Sequence, residues 1–269
     1  MTKYTEVELL AMTPREFRNM VRRGEWTGQT YGVCRGYAKT DLVIVPKEYA
    51  YDYIVFGHRN PRACSIVDMT EPGSPHPQRL APDADLRTDL PRYMVYKDGQ
   101  IVDEPTDIKK YWRDDLVAFL MGCSATMDWA LEAANVQYRG NGVFSTNIPC
   151  IPAGPFHGNV VVSCRLFKTA HDAVRAVQIS SRHFLMHGPP IHIGDPAAIG
   201  IKDMSQPDHI RPWGGLTPRK PLEGEVAMFW PCSGTNRLVA VESKLPLMIV
   251  DNLRCMFMTD KLSEELAIL

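Results

Sequence analysis

Most of the strong signals a sequence can carry are missing from this 269-residue chain. Neither sign of charge dominates. Thirty Lys and Arg face 31 Asp and Glu, for a formal net charge of -1. Such a balance sets up no field that draws nucleic acid or an anionic membrane, and no basic stripe is interleaved with aromatics. Neither class of partner is expected. No apolar run is long enough to span a bilayer. The stretch MTKYTEVELLAMTPREF lacks the apolar core of a signal peptide. The seven cysteines (34, 64, 123, 150, 164, 232 and 255) are scattered singly, without a CxxC. That excludes a cysteine zinc knuckle and argues against a disulfide framework. Reduced thiols and a soluble, cytoplasmic protein are the expectation. A P-loop, GxGxxG after a strand, HExxH and GxSxG are all absent, so ATP- or NAD-dependent chemistry has no support. PDADLRTD (Pro82–Asp89) imitates a calcium loop but has Thr88 at the turn Gly and Met94 at the closing Glu.

What is present is an ordinary globular composition, 45% hydrophobic and 23% charged. Thr13, Pro14 and Glu16 predict a capped helix carrying Phe17, Met20 and Val21, and Thr5 with Glu8 suggests another before it. DLVIVP (Asp41–Pro46) reads as a buried strand, and YDYIVFGHRNP fits helix or strand. Asp98-Gly99 predicts a hairpin turn. Leu116, Phe119, Leu120, Cys123, Met127 and Leu131 recur at helical spacing, which places Gly122-Cys123-Ser124 inside a helix. Strands are expected at Asn159–Phe167, Glu225–Trp230 and Leu245–Asp251, with a helix capped by Thr169 and Asp172. Alternating strands and helices predict an α/β fold with a mostly parallel or mixed sheet.

The stretch HGPPIHIGDP (His187–Pro196) is the first candidate site. Prolines fix φ and glycines admit a close ligand. A bend at Gly194 would set Asp195 beside His192 and orient the imidazole for proton transfer. A tight turn around a buried histidine is the plain alternative. Arg87, Asp89 and Arg92 lie in a Pro-flanked loop, and Arg182 ends a helix. A guanidinium fork suits a substrate carboxylate, or merely an internal Asp. Cys123 reads as core. Asp128 faces either a cleft or solvent. Thr146, Asn147 and His157 sit in a Pro/Gly loop of the kind that places polar groups for binding.

Taken together, several segments resemble the D-glutamate cyclase family, also described as hydro-lyases. They are TPREFR, GEWTGQTYG, APDADLRTDLPRY, EPTDI, WRDDLVAFLMGCS, TNIPCIPAGPFHGNVVVS and HGPPIHIGDPAAIGI, in order over nearly the whole chain. The resemblance implies a three-layer main domain (1–135 and 187–269) carrying a smaller two-layer αβ subdomain (136–186). It also implies that D-glutamate loses water to become 5-oxo-D-proline. The chain departs from the family pattern at three places. GYxQxNL becomes GYAKTDL, with Lys39 and Asp41. GCSFTFE becomes GCSATMD, with Asp128. THxPGHMFVTD becomes VDNLRCMFMTD, with Asp251 and Cys255 in place of two histidines.

Ring closure of that kind needs a base, an acid, donors for the oxyanion and an anchor for the α-carboxylate. Arg87 or Arg182 is the expected clamp. His192 with Asp195, and Asp128, are the expected proton-transfer groups. Ser124, Thr146, Asn147, Asp89 and His187 are expected to contact substrate, with Lys39 and Asp41 extending the site. No cofactor is expected. A divalent metal on His157, His187, His192 and Asp195 is one alternative, and a non-catalytic binding protein is another. The partner is a small carboxylate, and a homodimer is compatible with an enzyme of this size.

Overall fold

The computed structural model describes residues 4–206 and 220–268. Two short helices lead, α1 (Glu6–Ala11) and α2 (Pro14–Arg22), each opened by a complete capping box on Thr5 and Thr13. Strand β1 (Tyr37–Pro46) is buried from Ala38 onward. Its apolar run is continuous because both faces are covered: Val43 and Val45 belong to one core, Leu42 and Ile44 to another. The ambiguous YDYIVFGHRNP run is helix α3 (Lys47–Arg59), followed by β2 (Ile66–Met69). β3 (Tyr93–Lys97) and β4 (Gln100–Asp103) form the expected hairpin, with positive φ at Asp98 (50°) and Gly99 (78°). Then come β5 (Leu116–Gly122), α4 (Ala125–Ala133), β6 (Arg139–Pro149), β7 (Asn159–Phe167) and α5 (Ala170–Arg182). The last elements are β8 (His192–Ile193), β9 (Val226–Pro231), α6 (Gly234–Ser243), β10 (Met248–Asp251) and β11 (Phe257–Leu262).

The strands form two sheets. The larger has seven strands in the order β2-β5-β1-β10-β3-β4, with β11 also on β1; the smaller is β6-β7-β9-β8. Every registered pair among the described residues is antiparallel. The expectation of a mostly parallel or mixed sheet is therefore overturned. Alternation of strand and helix misled because each helix returns the chain beside a strand other than the one before it. After α3, for example, β2 pairs with β5 rather than β1. The smaller sheet draws β6 and β7 from residues 136–186 and β8 and β9 from beyond them.

The long helix expected from Leu116 to Leu131 is also corrected. Its first half is strand β5, and helix begins only at Ala125. LVAFLMG is buried at every position. A strand covered on both faces shows no period-2 pattern, so its apolar residues satisfied a helical template by accident. Gly122-Cys123-Ser124 is thus a strand-to-helix turn. A Cβ on Gly122 would fall 1.8 Å from the Leu185 carbonyl oxygen, which fixes glycine there.

The main core lies between the sheets. It joins Val43 and Phe119 of the larger sheet to Phe144, Val162 and Phe229 of the smaller, with Tyr53 and Phe56 of α3. β9 alternates: Ala227 and Phe229 face this core, while Met228 and Trp230 face α4 and α5. Among the described residues, no helix is long and apolar enough to cross a membrane.

Candidate active site

The site sits where the larger sheet forks. β1 pairs with β11 through Tyr37, Lys39 and Thr40, and with β10 through Val43 and Ile44. Asp41 and Leu42 fall between the two partners. The Leu42 amide is satisfied by a side chain instead of a strand, donating to Asp251 Oδ1 at 3.0 Å. Two buried carboxylates, Asp41 and Asp251, therefore meet at the fork. Arg237 of α6 serves both. Its Nη2 donates to Asp251 Oδ2 at 2.6 Å and lies 3.7 Å from Asp41 Oδ1. α6 is held to α3 by the Tyr53 hydroxyl, which donates to Asn236 Oδ1 at 2.8 Å.

Burial pushes the Asp251 carboxyl well above the usual range. The neighbouring Asp41 charge pushes the same way, against Arg237. Two close carboxylates cannot both ionise cheaply, which favours the acid form of Asp251. Burial works against the Arg237 cation, but Asp251 and Asp41 more than offset it.

This recess, about 40 Å³, is also lined by Cys123, Ser124, Cys232 and Ser233. It shares Tyr31, Ser124, Ser163 and Arg254 with a wider cleft of about 270 Å³ that adds Asp128 and Arg165. Arg165 Nη2 donates to Asp128 Oδ1 at 2.6 Å, and its guanidinium lies 5.0 Å from the Trp230 ring centre. Burial opposes this cation too; Asp128 outweighs it. Lys39, two residues before Asp41 on β1, is buried beside this cleft. Burial pulls its ammonium down, against the pull of Cys34, Asp128 and Cys123. Acid–base groups and hydrogen-bond donors thus gather around one partly closed space.

Of the residues expected from sequence, Asp41, Ser124 and Asp128 line this space, and Lys39 acts on it electrostatically. The others are elsewhere. The Arg87 fork is filled by Asp85, at 2.9 and 2.8 Å. Asp89 is buried against Arg22 and accepts the Asp85 amide at 2.9 Å. Exposed Arg182 donates to the Ile268 carbonyl at 3.3 Å. His192, half-buried, contacts the Asp195 main-chain oxygen at 2.6 Å, while the Asp195 carboxylate accepts the Ala197 amide. His187 is fully buried against the Arg62 carbonyl. Thr146 and Asn147 line a separate open groove with His157 and Lys202. Among the described residues, no three His, Cys, Asp or Glu side chains form a metal-holding group.

Sequence reasoning missed Arg165, Arg237, Cys232 and Ser233. One signal pointed to the last two. Cys123-Ser124-Ala125-Thr126 is echoed by Cys232-Ser233-Gly234-Thr235, each between a strand and a helix.

Comparison with known proteins bears on what such a site does. Residues 117–260 match the family model described as D-glutamate cyclase. A protein of Bacillus licheniformis (strain ATCC 14580) is 44% identical over 264 residues, covering 96% of this chain and 98% of its own length. One from Geobacillus kaustophilus (strain HTA426) is 45% identical with the same coverage. One from Bacillus subtilis (strain 168) is 42% identical over 96% of this chain and all of its own. All three carry the provisional name hydro-lyase.

Proposed function

Because this chain belongs to the D-glutamate cyclase family, we propose that its cleft binds a small amino-acid-like carboxylate and catalyses acid–base loss or addition of water, as in closure of D-glutamate to 5-oxo-D-proline. One observation carries the reading: a buried pair of carboxyl groups, Asp41 and Asp251, shares Arg237 at the inner end of a polar cleft.

Ring closure forms a C–N bond to the distal carboxyl carbon and breaks a C–O bond. The amine must lose a proton and the departing hydroxyl must gain one. A carboxyl pair sharing a proton does both: Asp41, the member that lines the recess, passes a proton to the leaving oxygen and takes one from the amine, with Asp251 behind it as its proton partner. The Ser124 and Ser233 hydroxyls, both at the recess, are donors for the oxyanion. Arg254 and Arg165 add positive charge along the cleft for the α-carboxylate. The attack is intramolecular, so a cleft that holds the substrate folded supplies much of the rate. The same groups serve ring opening in reverse.

The test is turnover of D-glutamate, followed as 5-oxoproline. Asp251→Asn and Asp41→Asn, checked for retained fold, are each expected to lose about 10²–10⁴-fold. His192→Ala and Arg87→Ala, outside the cleft, are expected to stay within about threefold of the parent. Full activity in Asp251→Asn together with loss in His192→Ala would move the chemistry to the His187–Pro196 stretch.

A further inference from the structure

The two Cys-Ser-x-Thr turns are built alike. One ends β5 of the larger sheet and starts α4; the other ends β9 of the smaller sheet and starts α6. The Cys232 thiol accepts the Gly234 amide at 3.4 Å, and the Cys123 sulfur lies 3.1 Å from Met256 Sδ. In each, the threonine ties the turn to a neighbouring strand: Thr126 Oγ1 accepts the Lys39 amide at 2.9 Å, and Thr235 Oγ1 accepts the Val161 amide at 3.0 Å. Both thiols line the small recess, one carried by each sheet. Neither has a part in the water-loss chemistry above.

A pair of proton carriers reaching one recess from two separate walls suits a reaction in which a proton leaves one face of a carbon and another arrives at the opposite face. We propose that the recess also exchanges the α-proton of a bound amino acid and inverts its configuration, with Cys123 and Cys232 as the two proton carriers. The inference rests on the reading that the cleft binds an amino-acid-like carboxylate.

Burial pushes both thiols up, Cys232 to about 11 and Cys123 well above the ordinary thiol range. Asp41, which lines the same recess, is the base placed to take the Cys123 thiol proton when a ligand fills the space. The Cys123 thiolate then takes the α-hydrogen as a proton. The electron pair is held on the substrate carboxylate as an enolate, facing Arg237. Cys232 gives its proton to the opposite face. The thiol and thiolate exchange places, and no oxidant or reductant is needed. The reverse reaction starts from Cys232.

The experiment incubates the full chain in D₂O with D-glutamate and separately with L-glutamate, and follows the α-proton and 5-oxoproline signals by ¹H NMR. The expected result is loss of the α-proton signal with appearance of the opposite enantiomer on chiral chromatography. Cys123→Ser and Cys232→Ser, with melting temperatures near the parent's, should each slow inversion by about a hundredfold or more. They should also differ in which enantiomer still exchanges, a bias that a merely structural role for the thiols would not produce. Accumulation of 5-oxoproline with the α-proton retained overturns the proposal and leaves the ring-closing reading intact. Exchange without 5-oxoproline supports the proposal and removes that reading. Absence of both overturns the two together.

Discussion

His187 shows how much a single buried group can contribute. It is fully buried with φ 76°, its Nδ1 2.6 Å from the Arg62 carbonyl oxygen. Burial is the main cause that pulls its imidazole from 6.5 down to about 4. A histidine with a lowered folded pKa contributes stability that is whole above the unfolded value and lost as pH falls from 6.5 toward about 4. From about pH 7.5 to about pH 5, the parent should therefore lose about 2 kcal/mol more than His187→Gln in urea unfolding. Equal losses would show that the ring takes up its proton without penalty. The Asp251 carboxyl has the opposite sign. Its raised folded pKa contributes stability that is present at low pH and falls away as pH rises above the ordinary carboxyl value. Asp41, Ser124 and Asp128 were legible in the sequence because they stand in GYAKTDL and GCSATMD, segments that resemble the family while Asp41 and Asp128 depart from its pattern. Arg165 and Arg237 were not. An arginine inside a strand or a helix looks like any solvated residue until the fold brings Asp128 or Asp251 to it.

At the scale of elements, the strand-to-helix turn at Gly122 governs the site, since it sets both Cys123 and Ser124. Gly122→Ala would drive a methyl into the Leu185 carbonyl. A destabilisation of about 1–3 kcal/mol or more is expected, because rigid backbone and not a side chain must move. Differential scanning fluorimetry would measure it, and an unchanged melting temperature would mean that the Leu185 segment yields freely. The elements whose signals were local were readable in advance. Two capping boxes open α1 and α2, and Asp98-Gly99 makes its turn. β5 was not, because burial on both faces erases the period that separates strand from helix. Strand direction was hidden for a similar reason. Pairing is settled by contacts far apart in sequence, such as Val43 with Val250, which no local window contains.

Across the whole molecule, one core spans both sheets, with Phe119 and Val43 from one side and Phe144 and Phe229 from the other. Neither sheet can lose its packing alone. Tryptophan fluorescence, led by Trp230 of the smaller sheet, and far-ultraviolet circular dichroism should report one coincident urea transition. Two separated midpoints would show that the sheets unfold independently. The fork in the larger sheet has a different kind of consequence. Residues 252–256 join β10 to β11 without belonging to either strand, yet Arg254 faces the cleft and Asp251 stands at the near end. The middle of the segment VDNLRCMFMTD, one of the three that depart from the family pattern, lies here. A connector of this sort can be redrawn while the ladders on each side keep their register. Lineages can therefore retune selectivity at this seam through a handful of codons, and a combinatorial library confined to it would sample new reactants on an otherwise untouched scaffold.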